Sequence, residues 1–326
     1  MTVVTAIARS PSSPRSRAKG ELLGVNVETI TFQLRLPEVT DTLLIRLRLG
    51  VAYDGANFAG WGRQPELRTV QGELESWLAT IFQRHGTPPT LTVAGRTDAG
   101  VHATGQVAHL DLSEAQVAVL DERRGQSGPE SLARRLNGIA GPNSDVVVTS
   151  SSLAPAGFDA RFSAIWRRYE YRIEDANQPR NPLTRGFTLA HPTVLDVEAM
   201  NAAAASLLGL HDWASYCKPR EGGTTIRTLQ QFSWERTAAG IVLARVQADA
   251  FCHSMVRSLV GASIAVGEGT LAASDLIALR DDHARTSAFK TAPAKGLTLV
   301  EVGYPADDQL AARAGQTRAR RNRLST

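Results

Sequence analysis

An α+β fold of two pseudo-symmetric lobes, each a sheet with helices and separated by a cleft, is what this 326-residue sequence predicts. Three observations carry the prediction. Segments whose apolar residues alternate every second position are interleaved with segments of helical period. The interleaving restarts halfway along the chain. No Gly-rich phosphate loop separates the units, and no short repeat is visible.

Taken in order, residues 1–41 are rich in Ser, Pro and Arg without a sustained period, and read as a disordered basic arm. A first lobe spans 42–155. Ile45, Leu47, Leu49, Val51 and Tyr53 alternate with Arg46 and Arg48, the mark of a half-buried strand. Thr69 caps a helix with the apolar stripe Val70, Leu74, Trp77, Leu78, Ile81 and Phe82. Leu91 and Val93 begin a second strand, and Gln106 to Leu112 form a third. A shorter helix around Leu132 and Leu136 leads to a strand at Asp145 to Ser150. A second lobe spans 156–306. There Tyr169, Tyr171 and Ile173 alternate with Arg168, Glu170, Arg172 and Glu174. A helix from Asp196 to Leu208 follows, with Gly209 as its C-cap. A strand from Ile241 to Ala248 precedes an apolar helix carrying Met255, Leu259, Val260 and Ile264. Residues 307–326 read as a basic tail.

Bulk properties bound the class. The chain is 43% hydrophobic and 21% charged, with a formal net charge of +4 and a pI near 9.3. Only Lys19, Lys218, Lys290 and Lys295 are lysines, so the basic residues are mostly arginine. Arginine's planar fork suits phosphates and bases, but a GC-rich genome produces the same bias. Cys217 and Cys252 are the only cysteines. Their number and spacing argue against a disulfide scaffold or a thiolate zinc site, and fit a reducing cytoplasm. No apolar run approaches a membrane span, and the N-terminal charge order is wrong for a secretory signal. His102 and His109 are not at a metal-ligand spacing, and no metal or cofactor is expected.

The chemistry concentrates between Ala94 and Val107, in the run AGRTDAGVHATGQV. Gly95, Gly100 and Gly105 punctuate it, so the backbone turns tightly or approaches something closely. In an extended segment Arg96 and Asp98 share one face. An arginine so placed would keep the carboxylate ionised and oriented, as a carboxylate nucleophile requires. An Asp-Ala-Gly turn beside a surface ion pair is the competing reading.

GRTDAGVHATGQV resembles the signature of the A-type tRNA pseudouridine synthases. The match extends in order along residues 43 to 305. Tyr53-Asp-Gly55, Phe58-Ala-Gly-Trp61, Val70-Gln71 and Glu73-Leu-Glu75 resemble the family's opening block. Phe158-Asp-Ala-Arg-Phe-Ser-Ala164 and Arg167-Arg-Tyr-Glu-Tyr171 resemble its central block. Ala250-Phe-Cys-His-Ser-Met-Val-Arg257 and Gly296 to Pro305 resemble the last two. Gly62, Gly141 to Asp145 and the polar stretch Asp121 to Gly128 depart from the pattern.

The resemblance implies the pseudouridine synthase fold with a central RNA-binding cleft. It implies isomerisation of uridine to pseudouridine in the tRNA anticodon stem-loop, at positions 38–40, by a cytoplasmic homodimer without cofactor. Asp98 corresponds to the catalytic aspartate and Arg96 to the arginine that positions it. Tyr169 corresponds to the tyrosine lying against the target uracil, and Arg161 and Arg257 fall in blocks lining the cleft. Tyr169 also fits the inward face of a strand, and Arg161 an ordinary ion pair. The alternatives are a non-catalytic RNA-binding module of the same fold and, further off, a carboxylate hydrolase, which needs a second acid. A nucleophilic Cys252 beside His253 has no spaced orienting carboxylate.

Overall fold

The computed structural model describes residues 44–120, 128–218, 223–284 and 286–318. The expected arm at 1–41 and residues 121–127 of the polar stretch lie outside them. In chain order the elements are β1 (Ile45–Tyr53), α1 (Val70–Phe82), β2 (Thr92–Val93), β3 (His102–Leu112), α2 (Glu114–Val117), α3 (Gly128–Ala140) and β4 (Val146–Leu153). Then follow β5 (Trp166–Glu174), β6 (Leu189–Ala190), α4 (Val197–Ala205), β7 (Gly209–Asp212), β8 (Ile226–Arg236) and β9 (Val242–Ala248). The last are α5 (Met255–Gly267), α6 (Ala273–Asp281), β10 (Leu297–Gly303) and α7 (Leu310–Arg318).

Alternation along β1 and β5 dictates which residues enter the core. Leu47, Leu49, Val51 and Tyr53 are buried on β1, with Arg46 and Arg48 half-buried between them. Arg167, Tyr169, Tyr171 and Ile173 are buried on β5. The two halves share one plan. β1 lies between antiparallel β3 and β4, and β5 between antiparallel β9 and β10. In each half a helix follows the central strand, and two further helices lie between its two partners. The strands of both halves run on in one sheet, ordered β4-β1-β3-β10-β5-β9-β8-β7. The join is the parallel pairing of Thr298 and Leu299 on β10 with His102 and Ala103 on β3. One apolar cluster follows the join, from Leu49 and Phe82 through Leu299 to Val246 and Leu259.

Three expectations are corrected. The helix expected over 196–208 is shorter: Asp196 accepts the Ala199 N–H as its N-cap at 2.9 Å, and the helix ends at Ala205. Gly209 opens β7 with a φ of +116° rather than capping that helix. Residues 307–318, read as part of a basic tail, carry helix α7. Leu310 and Ala314, one turn apart, are buried, and Arg318 pairs with Asp159 at 2.9 Å. Among the described residues no helix is long and apolar enough to cross a membrane.

Candidate active site

The loop from Ala94 to Val101 is held from three directions. The Trp61 N–H donates to the Thr97 carbonyl at 3.1 Å, and the Gly100 N–H to Phe58 O at 3.2 Å. The Tyr53 hydroxyl meets Thr97 Oγ1 at 2.8 Å, while Gln106 Nε2 donates to Gly95 O at 2.9 Å. Gly100 sits at φ +78°, a conformation that favours glycine. A Cβ on Gly105 would stand 2.0 Å from Val300 O, so only glycine lets β3 approach β10 this closely.

Asp98 emerges from this loop with its side chain 29% exposed, at the N-terminal end of α5. Ser254 Oγ donates to Asp98 Oδ2 at 3.2 Å. Arg257 Nη1 stands 3.7 Å from the same oxygen, and His253 Nε2 3.6 Å from Oδ1. Arg257 is held in turn by its Nε–H donating to Ala292 O at 2.7 Å. A cation and a hydroxyl thus face this carboxylate beside the positive end of a helix.

The other expected residues are placed as follows. Arg257 meets Asp98. Arg96 does not: it is exposed, lies against Gly62, and makes no ion pair with Asp98 among the described residues. The loop is turned rather than extended, so residues two apart do not share a face. Tyr169 lies on the buried face of β5, its ring edge-on to Phe251 with centroids 5.2 Å apart. Burial, then the neighbouring Tyr53 and Asp98, push its hydroxyl well above the usual phenol range, with Arg167 opposing. That hydroxyl has no hydrogen-bond partner among the described residues. Arg161 is exposed and its guanidinium lies over the Phe162 ring, away from Asp98's contacts. His109 is engaged by the Ala160 N–H, and His102 by the Gly55 N–H. Among the described residues no group of three His, Cys, Asp or Glu is placed to hold a metal.

Sequence reasoning passed over three contributors. Ser254 and His253 touch Asp98 from the block preceding α5, and only the family block marked them. Arg167 is buried and donates to three carbonyls: Ala94 and Asp249 at 2.7 Å and Arg161 at 2.9 Å. It thereby fastens the loop that carries Asp98 to the two segments that flank it. Burial lowers the pKa of this guanidinium. Arg167→Met would orphan three carbonyls at once, and a loss of roughly 3–5 kcal/mol is expected. Urea denaturation measures it; a loss below about 1 kcal/mol at unchanged m-value would show the carbonyls finding other partners. The cysteines also correct an expectation. Cys217 and Cys252 are joined as a disulfide, with Cα atoms 5.8 Å apart, and beside them the Lys218 N–H donates to His253 O.

Similarity to known proteins agrees with this geometry. Residues 203–305 match a family model described as tRNA pseudouridine synthase. A tRNA pseudouridine synthase A from Leifsonia xyli is 62% identical over 85% of this chain and 97% of its own length. The Streptomyces griseus protein of that name is 51% identical over 84% of this chain and 93% of its own. The Mycobacterium leprae protein is 46% identical over 87% and 97%. Likeness of this degree spans both halves of the sheet and the loop that carries Asp98, and the chain therefore belongs to the tRNA pseudouridine synthase A family.

Proposed function

We propose that this chain isomerises uridine to pseudouridine in tRNA, at positions 38–40 of the anticodon stem-loop, with Asp98 as the nucleophile. The observation that carries the reading is an accessible carboxylate where the two halves meet, facing Arg257 and near a buried tyrosine with an unengaged hydroxyl. The reaction breaks the bond from ribose C1′ to uracil N1 and forms one to C5, releasing the C5 proton. The freed N1 takes up a proton in its place, so no atom is lost overall and no electron is transferred, and the residues of the chain suffice without metal or cofactor. The target must leave its stack, at a cost of a few kcal/mol. Stacking on Tyr169 and phosphate contacts from exposed Arg96 and Arg161 offset this. Asp98 then attacks the flipped nucleotide, at uracil C6 or ribose C1′. A homodimer is the proposed working form, on the strength of the family.

A purely binding module of this fold has no use for a carboxylate facing phosphates. Tritium release from [5-³H]uridine-labelled tRNA transcripts separates the two readings. Release is expected, and it is expected to persist in EDTA with tRNA folded beforehand. Tight binding of transcripts carrying U38–U40, with release no greater than the enzyme-free blank, would establish the binding module instead.

A further inference from the structure

Beside Asp98 lies a second polar site. A pocket of about 240 Å³ is lined by Ser215, Ser254, Ser258, Thr286, Thr291 and Lys218, with Cys217 and Phe289. We infer that this pocket takes a phosphodiester of the RNA backbone flanking the target uridine. The inference rests on the function proposed above and assigns a subsite to it.

Its chemistry is that of an anion site. Among the described residues that line it, five carry hydroxyls and one an ammonium, and none carries a carboxylate. Ser215 is 4% exposed and its Oγ has no hydrogen-bond partner. A buried hydroxyl is costly to leave unmet, but this oxygen is sealed from the pocket, so the donors an anion can reach are those of Lys218 and the other hydroxyl-bearing residues. Lys218 is exposed and makes no ion pair among the described residues, while its backbone N–H is pinned to His253 O at 2.9 Å. The ammonium therefore hangs from a fixed point, with no anion of the described residues to satisfy it.

The position identifies the anion. Ser254 both lines the pocket and donates to Asp98, so one residue separates the nucleophile from the pocket. It stands at the N-cap of α5 in a left-handed conformation, φ 64°, and its side chain makes no capping bond. The Met255 N–H is taken by the Cys252 carbonyl at 3.1 Å, and the positive end of the helix dipole lies at Ser254. A uridine held at Asp98 carries its own phosphates on either side, and these are the anions nearest to hand. Repulsion from Asp98 is limited, because Ser254, Arg257 and His253 already face that carboxylate.

The test measures anticodon stem-loop binding in the Asp98→Asn background, where turnover does not intrude. Lys218→Gln should weaken binding roughly tenfold, the low end for a charge-assisted hydrogen bond. It should also lower the slope of log K against log salt by about 0.7–0.9, the value for one phosphate contact. Ser215→Ala, which removes a hydroxyl sealed from the pocket, should leave affinity and salt slope unchanged. A neutral methylphosphonate placed on one side of the target uridine should weaken wild-type Lys218 protein and add nothing in Lys218→Gln. The proposal is overturned if Lys218→Gln keeps affinity and salt slope, or if the methylphosphonate penalty is equal in both backgrounds. Weaker binding of inorganic phosphate with unchanged RNA affinity would assign the pocket to a free anion, and also overturns it. These failures leave the Asp98 reading standing if Asp98→Asn is inactive in tritium release; an active Asp98→Asn removes that reading, whatever Lys218 does.

Discussion

Asp98→Asn is expected to reduce tritium release to background, a loss of at least about 10⁴-fold in single-turnover rate, the scale of deleting a covalent nucleophile. Asparagine keeps the shape of the side chain and can still meet Ser254 Oγ, but its amide does not attack carbon. The carboxylate it replaces is partly exposed, and its ion-pair distances are long, 3.6 and 3.7 Å. Stability should therefore change by no more than about 1 kcal/mol. RNA affinity should hold or rise, because one negative charge leaves a cleft that receives phosphates. Substantial turnover by protein whose mass excludes deamidation would falsify the assignment.

Tyr169 is expected to show the next largest effect, and two substitutions divide its roles. If the ring only stacks on the flipped base, Tyr169→Phe keeps most of the rate. Tyr169→Leu then loses roughly 1–3 kcal/mol, the range for one base–aromatic stack. If the hydroxyl takes part in proton transfer, Phe loses on the order of a hundredfold or more. The second outcome is the expected one, since the hydroxyl has no partner among the described residues and Phe251 already packs against the ring. The pH profile follows from the raised pKa. A phenol pushed upward by burial loses its proton only at higher pH than usual, so Tyr169 stays neutral across pH 6–9 and acts as a donor. An alkaline limb in that range that vanishes in Tyr169→Phe would contradict this. So would near-wild-type rates for both variants, which would make Tyr169 a core residue.

What was legible in the sequence is what short-range pattern controls. Thr69 and the stripe behind it announce α1, and parity along Tyr169, Tyr171 and Ile173 announces the buried face of β5. The same parity, carried one step back, reaches Arg167; twin arginines beside Arg168 look like a solvated pair, and only three distant carbonyls reveal the burial. Asp98 was legible through its motif, but the cation beside it was not. Nearness in sequence pointed to Arg96, whereas the turn at Gly100 and the packing against Phe58 and Trp61 point the carboxylate toward Arg257. The blocks that surround the catalytic loop are spaced far apart because each supplies one side of its support. The pairing of β10 with β3 has no local signal, since a strand's sequence names its faces and not its neighbours.

That seam gives the fold a schedule. Strand β3 is made early in synthesis, but the partner for its first residues emerges roughly 200 residues later, which at ribosomal speed is about 10–40 s. Until then His102 and Ala103 present an open strand edge immediately after the loop that carries Asp98. Arg257, too, leaves the ribosome before the Ala292 carbonyl that holds it. A nascent chain can thus complete the first half of its sheet while its catalytic centre stays unassembled. Chemical competence arrives with the final strand, so a ribosome-bound fragment ending before Leu297 is expected to leave tRNA untouched.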